Sequence, residues 1–312
     1  MAQELHYNDF GSWIKAKLPF KVQKISINAG FTCPNRDGRI SYGGCTFCDN
    51  STFSPAYCSN NKSIKEQLQE GKMFFSKKYP EMKYLAYFQA YTNTYESVDT
   101  LKFKYEQALS VEDVVGIVIG TRPDCIDESL LQYLQQLGRE RFVLIEYGIE
   151  STNETTLKRI NRGHTYQCSK DIVQLTHDYG ILTGGHVILG LPGEDRNSML
   201  KQADDISRLP LDLLKIHQLQ IITGTEMARE YQEHPFHLFN VEEYIELLAE
   251  YITRLNPTIT LDRFVSQSPE NKLIAPRWGL KNYQFTNLFN NYLQQKGIYQ
   301  GQKYCSFEHI NS

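Results

Sequence analysis

The chain has 312 residues, 41% of them hydrophobic, and a formal net charge of −3. It is long enough for one barrel-sized domain or two smaller ones, and its charge excludes a strongly basic protein that attracts nucleic acid over its whole surface. The longest apolar run, residues 114–119, is too short to cross a bilayer, and no signal-like segment begins the chain. The sequence therefore predicts a cytoplasmic protein that does not enter a membrane.

In chain order, a polar arm over residues 1–20 precedes six predicted strand–helix units. The strands are predicted at residues 22–28, 83–89, 114–120, 141–150, 182–189 and 211–222. The helices are predicted at residues 63–79, ended by Pro80, and at 98–110, 127–137, 151–179 with a break at Gly163, and 194–208. This unbroken alternation predicts an α/β fold, a parallel sheet with helices outside it.

Beyond residue 222 the alternation stops. Helices are predicted over residues 241–255 and 280–296, with an extra strand over 258–264. We interpret residues 226–312 as a C-terminal extension that packs on an open barrel formed by residues 21–225. No chemistry of its own is assigned to this extension.

Three of the seven cysteines form a motif in the loop after the first strand. Eleven residues lie between Cys33 and Cys45, and two residues lie between Cys45 and Cys48. A structural zinc site usually takes four ligands as two pairs, and no second pair of this kind occurs in the sequence. A cubic iron–sulfur cluster held by three cysteines leaves one iron open to a small molecule. The spacing alone leaves an open iron–sulfur site, a zinc site and a coincidental loop as alternatives.

Polar, glycine-rich segments follow later strands at the same end as the cysteine loop. They lie at residues 89–93, 120–124, 148–151 and 190–194. The carboxyl ends of parallel strands are where such folds place their chemistry. We therefore expect these loops to converge on one site.

At these loops the chain resembles the radical S-adenosylmethionine (SAM) superfamily, over about residues 20–225. Phe47, before the last cysteine, matches an aromatic residue of those loops. Residues 157–165, 186–193, 214–217 and 223–225 resemble the catalytic subunit of Elongator, and residues 268–281 are similar to the YhcC/YtqA (MnmL-like) family. The resemblance implies an enzyme with a partial TIM barrel (βα)6 core, a short C-terminal α/β extension, a [4Fe–4S] cluster and SAM. It also implies an electron donor such as flavodoxin or ferredoxin.

The same resemblance implies individual roles. Cys33, Cys45 and Cys48 would bind the cluster. The residues implied to bind SAM are Phe47, Gln89, Ala90, Tyr91, Thr92, Glu150, Arg162 and His186. The segment from Gln89 to Thr92 departs from the glycine-rich run of relatives, and His186 replaces an aspartate. Glu150 and Arg162, twelve residues apart, match residues that relatives such as the oxygen-independent coproporphyrinogen oxidase use on SAM.

Structural roles remain open for the same residues. Glu150 could cap the following helix, Arg162 could pair with Glu150, and His186 could be a core histidine. Arg122 is expected to brace the barrel mouth. Lys215 shares a strand face with His217, and a charge there is costly unless it is paired or binds substrate or SAM.

The YhcC/YtqA family has been linked to maturation of the carbon-5 side chain of the tRNA wobble uridine, alongside a SAM-dependent tRNA methyltransferase. The resemblance therefore implies a tRNA substrate and conversion of carboxymethylaminomethyluridine toward aminomethyluridine. Five basic residues are expected to take phosphates: Lys158, Arg159, Arg162, His164 and Lys170. A radical SAM enzyme acting on a small metabolite and a non-enzymatic metal- or RNA-binding module stay open as alternatives.

Overall fold

The computed structural model describes residues 6–76 and 81–305. Its helices are α1 (Phe10–Lys17), α2 (Ile64–Ser76), α3 (Val98–Leu109), α4 (Glu128–Leu137), α5 (Glu154–Arg159), α6 (Tyr166–Asp178), α7 (Arg196–Ile206), α8 (Glu226–Glu233), α9 (Val241–Arg254) and α10 (Asn282–Lys296). Its strands are β1 (Val22–Ile27), β2 (Lys83–Phe88), β3 (Val114–Thr121), β4 (Phe142–Glu150), β5 (Leu182–Leu189), β6 (Leu213–Gln218), β7 (Ile221–Ile222), β8 (Thr260–Arg263) and β9 (Leu273–Ala275).

Seven strands form one parallel sheet in the order β1-β2-β3-β4-β5-β6-β8. Helices connect the successive strands and cover the outer face, so the sheet curls into a partial TIM barrel. This confirms the predicted fold class. β1 and β8 are the two edges of the sheet, and the barrel is open between them.

The strands are buried on both faces because their side chains alternate between the helix layer and the barrel interior. Ile25, Ile117 and Ile145 point outward and lie fully buried in the core shared with the helices. The inward set begins with an apolar layer toward the amino ends of the strands, formed by Leu85, Val118, Leu144, Leu213 and their neighbours. Polar residues follow this layer toward the carboxyl ends of the strands.

Helix α1 closes the amino end of the barrel. Asp9 caps the helix by accepting a hydrogen bond from Ser12 N, and Phe10 and Trp13 pack on the inner apolar layer. The chain before α1 is tied to the last strand, since Leu261 N donates to Asn8 O at 2.8 Å. Over residues 6–20, the arm predicted for residues 1–20 therefore contains a capped helix that packs on the barrel.

The predicted sixth strand is two strands. β6 ends at Gln218, and β7 leaves the barrel sheet to pair antiparallel with β9. The extra strand predicted over residues 258–264 is β8, which extends the barrel sheet. The predicted helix end at Tyr79 and Pro80 lies outside the described residues. Within residues 6–76 and 81–305, no helix is long and apolar enough to cross a membrane.

Candidate active site

The loop after β1 is folded by its own backbone. Arg36 N donates to Cys33 O at 2.8 Å, and Cys48 N donates to Cys45 O at 3.0 Å. Gly44 has a φ of 93°, and a Cβ there would lie 2.9 Å from Arg36 Nε. Glycine is therefore needed at the turn that brings the three cysteines to one side of the loop.

This loop is docked on the segment after α5. The amide of Asn35 donates to Asn161 O at 2.5 Å and to Arg162 O at 3.0 Å. Thr46 N donates to Ile160 O at 3.0 Å. The loop is therefore fixed relative to β4, whose end precedes α5.

Each of two cysteine sulfurs faces an N–H donor. Arg162 Nη1 lies 3.6 Å from Cys45 Sγ, and Asn50 Nδ2 lies 3.4 Å from Cys48 Sγ. Burial raises the pKa of the Cys48 thiol to about 11, and the neighbouring Arg36 guanidinium acts in the opposite direction. Cations and donors placed at sulfur favour thiolates, the form that binds metal.

The described residues contain no group of three or more His, Cys, Asp or Glu side chains close enough to hold a single metal ion. A tetrahedral zinc ion needs all its ligands around one atom, whereas each cysteine of an iron–sulfur cluster binds its own iron. Three thiols around one cavity, with N–H donors at two of the sulfurs, fit a cluster held by three ligands.

One cavity of about 880 Å³ lies in the open barrel and joins the cysteine loop to the barrel interior. Of the residues predicted to bind cluster or SAM, those that line it are Cys33, Cys45, Phe47, Cys48, Gln89, Tyr91, Thr92, Glu150, Arg162 and His186. Ala90 is buried and is not one of the lining residues. Four of the five predicted loops therefore line one cavity, and loop 190–194 contributes no residue to its wall.

Glu150 and Arg162 meet at the carboxyl end of β4. Arg162 Nη2 donates to Gly148 O at 2.6 Å and lies 3.8 Å from Glu150 Oε1. Glu150 has a φ of 67°, at an irregularity in the β4–β5 pairing. The helix that follows is capped by Asn153, so Glu150 is not its cap. Arg162 Nε is buried and has no hydrogen-bond partner among the described residues, which leaves it available to a ligand.

The segment at Tyr91 is held by backbone hydrogen bonds. Tyr91 has a φ of 65°, and its N–H donates to Asn50 Oδ1 at 2.8 Å. Thr92 N donates to Thr32 O at 3.2 Å. Because these two N–H groups are already used, the carbonyls and side chains of this segment are what it offers to a ligand.

Deeper in the cavity lies a set of charged and polar side chains that we call the inner ionic cluster: Lys24, Tyr87, Glu146, His186, Lys215 and Asp262. Glu146 Oε2 is 2.6 Å from Lys215 Nζ, 2.7 Å from Tyr87 Oη and 3.0 Å from His186 Nε2. Lys24 Nζ bridges the two carboxylates, 3.2 Å from Glu146 Oε1 and 2.8 Å from Asp262 Oδ2.

The cations determine the ionisation of this cluster. Burial alone would raise the pKa of Glu146, but Lys215 and Lys24 outweigh it and hold that pKa well below its usual range. Glu146 is therefore a carboxylate at neutral pH.

Burial lowers the pKa of His217 well below its ordinary value, so its imidazole is neutral, and Nδ1 lies 2.8 Å from Ser266 Oγ.

Sequence reasoning found part of this cluster. Lys215 is paired with Glu146, as expected for a buried lysine, whereas Lys24, Glu146 and Asp262 were not singled out. A single carboxylate within the apolar strand over residues 142–149 was the available signal for Glu146. Lys24 and Asp262 carry no local signal, since their partners are distant in sequence.

Two predictions about cations have different outcomes. Arg122, 2% exposed, binds Asp124 through two hydrogen bonds of 2.9 and 2.8 Å, in keeping with a bracing role. The prediction that five basic residues between Lys158 and Lys170 together bind phosphates is wrong for the whole set. Arg162 and His164 are buried, and Arg159 pairs with Glu230.

The C-terminal extension forms one wall of the cavity, through Asp262, Arg263, Ser266, Gln267, Ser268 and Pro269. Lys272 Nζ of this extension also lies 3.0 Å from Oδ2 of Asp49, the residue that follows Cys48. The interpretation that this extension carries no chemistry was therefore incomplete.

Comparison with protein-family models gives two matches. Residues 29–206 match the model of the radical SAM superfamily, and residues 211–295 match that of the radical SAM C-terminal domain. The second match begins just before β6 and includes the wall described above.

Among curated proteins, the chain is similar to the uncharacterized protein YtqA of Bacillus subtilis, with 32% identity over 98% of this chain and 95% of that protein. It is 33% identical to the protein YhcC of Escherichia coli, over 93% of each chain. A tRNA uridine(34) acetyltransferase of Methanocaldococcus jannaschii is 26% identical over 59% of this chain and 34% of its own length.

Among solved structures, the archaeal Elp3 of Methanocaldococcus infernus superimposes with a TM-score of 0.68 at 17% identity. The match covers 90% of this chain and 64% of that chain. Methylornithine synthase superimposes with a TM-score of 0.50 at 12% identity, over 90% of this chain and 83% of its own. At these identities the likeness concerns the fold.

Proposed function

Because this chain belongs to the radical SAM superfamily, whose enzymes use a [4Fe–4S] cluster and SAM, we propose that it modifies the wobble uridine of tRNA. The reaction is conversion of the carboxymethylaminomethyl group on carbon 5 toward aminomethyl. The bond between the amine nitrogen and the carboxymethyl carbon breaks, water enters, and the two-carbon fragment leaves as glyoxylate, while SAM, cleaved to methionine and 5′-deoxyadenosine, is the two-electron acceptor. The cluster and SAM together supply a 5′-deoxyadenosyl radical that removes a hydrogen atom from the substrate. The chain is an enzyme of this class, so the non-enzymatic alternative is set aside.

The protein's own residues have three tasks in this proposal. Cys33, Cys45 and Cys48 hold the cluster, and Glu150 and Arg162 hold SAM beside it. The open barrel places the substrate against SAM and keeps bulk water from the reacting atoms. A reductant such as flavodoxin or ferredoxin supplies electrons, and a SAM-dependent methyltransferase would act on the product.

The cavity supports a nucleoside substrate best. Its volume of about 880 Å³ falls in the range of ligand sites and is large enough for a base extruded from an anticodon loop. Tyr91 is 37% exposed on the cavity wall, and the Arg36 guanidinium lies 5.8 Å from its ring centroid. Aromatic and guanidinium planes of this kind are used to stack unpaired RNA bases. The resemblance to proteins named for uridine 34 of tRNA supports the same substrate.

The proposal is tested by incubating the anaerobically reconstituted enzyme with dithionite, SAM and tRNA that carries carboxymethylaminomethyluridine. We expect aminomethyluridine to appear by nucleoside mass spectrometry, together with 5′-deoxyadenosine. The matched control is Arg229→Gln, an exposed arginine on α8 that is outside the cavity, which should keep the activity. If the loaded enzyme forms 5′-deoxyadenosine at the same rate without tRNA and leaves all wobble nucleosides unchanged, the proposal is wrong.

A second candidate is a radical SAM enzyme that acts on a small metabolite. The net charge of −3 and the burial of two of the five predicted phosphate-binding residues favour it. Salt-independent kinetics and the absence of tRNA binding at low ionic strength would support this candidate, because RNA binding weakens steeply with salt.

A further inference from the structure

We propose that the inner ionic cluster and the neighbouring Arg263 form a substrate subsite that binds a carboxylate. The inference rests on the proposed function and deepens it. The ligand would be the carboxylate of the carboxymethylaminomethyl group of the wobble uridine. This assigns the recognition of the group that is removed to residues on β1, β2, β4, β5, β6 and β8.

Position along the strands is the first argument. Glu146 pairs with Gly184 of β5 and Glu150 pairs with Val187, three residues further along that strand, so Glu146 lies about 10 Å nearer the amino ends of the strands at the usual rise. The apolar layer and Phe10 of α1 lie below it and end the cavity. A side chain that extends inward from a base near SAM would therefore end at the inner ionic cluster.

The residues of the cluster remain accessible to a ligand. Lys215, His186 and Asp262 line the cavity, and the side chains of His186 and Asp262 keep 22% and 15% of their exposure. His186 uses Nε2 on Glu146, and its other nitrogen, Nδ1, has no hydrogen-bond partner among the described residues. The side chains of the inner ionic cluster therefore line the cavity and also connect the strands of the barrel through ion pairs and hydrogen bonds.

Charge is the second argument. At this depth the cavity is lined by three permanent cations, Lys24, Lys215 and Arg263, and by two carboxylates, Glu146 and Asp262. The carboxylates are matched by the two lysines, which approach them to between 2.6 and 3.6 Å. Arg263 has no carboxylate within ion-pair distance in the part of the chain that the structure describes. One positive charge is left over, and a single carboxylate would balance it.

Arg263 faces the same space as the cluster. Its guanidinium contributes to the electrostatic environment of both His217 and Tyr87, and it belongs to the cavity wall while remaining exposed. A planar guanidinium binds a carboxylate through two parallel hydrogen bonds. Arg263 is therefore the main ligand of the carboxylate in this proposal, and Lys215 and His186 are its neighbours.

The test compares two anticodon stem-loops that differ in one group. One carries carboxymethylaminomethyluridine and the other its neutral carboxamide, which has nearly the same size. Dissociation constants are measured on the reconstituted holoenzyme with SAM and without reductant, at fixed ionic strength, and kcat and KM follow from 5′-deoxyadenosine formation. We expect the wild type to prefer the carboxylate by about 10- to 100-fold, the usual effect of a charge-assisted hydrogen bond.

Substitutions of Arg263 test whether this residue is responsible for the preference for the carboxylate. Arg263→Gln should reduce the preference to less than about threefold, whereas Arg263→Lys should keep part of it, because lysine keeps the charge but cannot form the two parallel hydrogen bonds of a guanidinium. Arg229→Gln should keep the wild-type preference. Because Arg263 is exposed and has no ion pair, its replacement should leave folding, iron content and SAM affinity unchanged.

Two failures are distinguishable. If the wild type converts the carboxylate stem-loop but binds both stem-loops equally, or if Arg263→Gln keeps the full preference, the subsite proposal is wrong and the proposed function remains. If neither stem-loop is bound or changed by fully loaded enzyme, the proposed function is wrong, and the carboxylate subsite is rejected with it.

Discussion

At the residue scale, Cys45 shows how N–H donors are placed around a sulfur that is proposed to bind the cluster. Its sulfur lies 3.6 Å from Arg162 Nη1 and 3.8 Å from Asn35 Nδ2, and both neighbours are held by the barrel. Arg162 also approaches Glu150 and Gly148. One arginine therefore links the cluster ligand to the residues assigned to SAM.

We predict that Cys45→Ser abolishes cluster binding, because a cluster with two remaining thiolates lacks a ligand for one of its irons. Iron content per chain and the visible absorbance of the reconstituted protein measure this. Cys168→Ser is the matched control, since Cys168 is half-buried on α6 and does not line the cavity. A Cys45→Ser protein with the wild-type iron content would contradict the ligand assignment.

We predict that Gly148→Ala weakens SAM binding. A Cβ at this position would lie 2.5 Å from Glu150 Oε1 and 2.7 Å from Arg162 Nη2, so both side chains must move. The expected loss in SAM affinity is about tenfold or more, in line with the cost of overpacking. Equilibrium dialysis with the loaded protein measures it, and Gly138→Ala at the end of α4 serves as the control. Equal SAM affinity in the two variants would argue against Glu150 and Arg162 as SAM ligands.

At this scale, sequence reasoning reaches pairs of residues that are close to each other in the sequence. The spacing of Cys45 and Cys48 already implies one centre. By contrast, Lys24 and Asp262 are 238 residues apart in sequence, and only the curled sheet brings their charges within 2.8 Å. No short stretch of the sequence indicates the contact between Lys24 and Asp262.

At the element scale, the pair between Lys24 and Asp262 joins the two edge strands of the sheet. β1 and β8 have no backbone pairing with each other, so side chains must hold the barrel opening together. Arg263 follows Asp262 on β8, and the cavity wall continues from there to Pro269. The C-terminal extension is therefore part of the site.

We predict that Lys24→Met and Asp262→Asn each lower the free energy of unfolding by about 2 kcal/mol, because each removes one of the two ion-pair partners of a largely buried charge. The double variant should lose clearly less than the sum, since the two residues interact directly. Urea denaturation measures all three. The exposed pair of Arg196 and Glu250 is the control, and Arg196→Met should cost less than about 1 kcal/mol. Additive losses at Lys24 and Asp262 would rule out their coupling.

The ionised state of Glu146 predicts a pH dependence of stability. Its pKa is held well below the ordinary value in the folded protein. Its contribution to stability is therefore present above the pKa of an unfolded glutamate, about 4.3, and is lost as the pH falls toward the folded pKa. The difference in unfolding free energy between wild type and Glu146→Gln should be largest at pH 6–7 and shrink below about pH 4. A difference that grows on acidification would contradict this assignment.

Element bounds were mostly predictable, because β-branched runs and capping residues act locally. The sequence pattern located β2, β3, β5, α3 and α4 within about two residues, the usual uncertainty of element ends. It missed α1, although Asp9 followed by Phe10, Trp13 and Ile14 is a capped helix signal. It also merged β6 with β7, since the pairing of β7 with β9 is decided by a segment more than 50 residues further along the chain.

At the scale of the whole molecule, the barrel and the extension enclose one cavity with two chemically different ends. Thiols, Arg162 and Glu150 lie at the carboxyl ends of the strands, and the inner ionic cluster lies below them. The end with the cysteine thiols could be predicted from motif spacing and strand topology. The end with the inner ionic cluster requires side chains from β1, β2, β4, β5, β6 and β8 to meet in the barrel interior, and the sequence alone did not predict that meeting.

The most direct measurement of the central claim is transfer of deuterium from the substrate into 5′-deoxyadenosine. The substrate is an anticodon stem-loop whose carboxymethylaminomethyl group carries deuterium, incubated with fully loaded enzyme, SAM and dithionite. The account predicts deuterated 5′-deoxyadenosine by mass spectrometry, and unlabelled product from the unlabelled stem-loop. If SAM is cleaved but the 5′-deoxyadenosine contains no deuterium and the stem-loop is unchanged, the hydrogen atom comes from another molecule, and the wobble uridine is not the substrate.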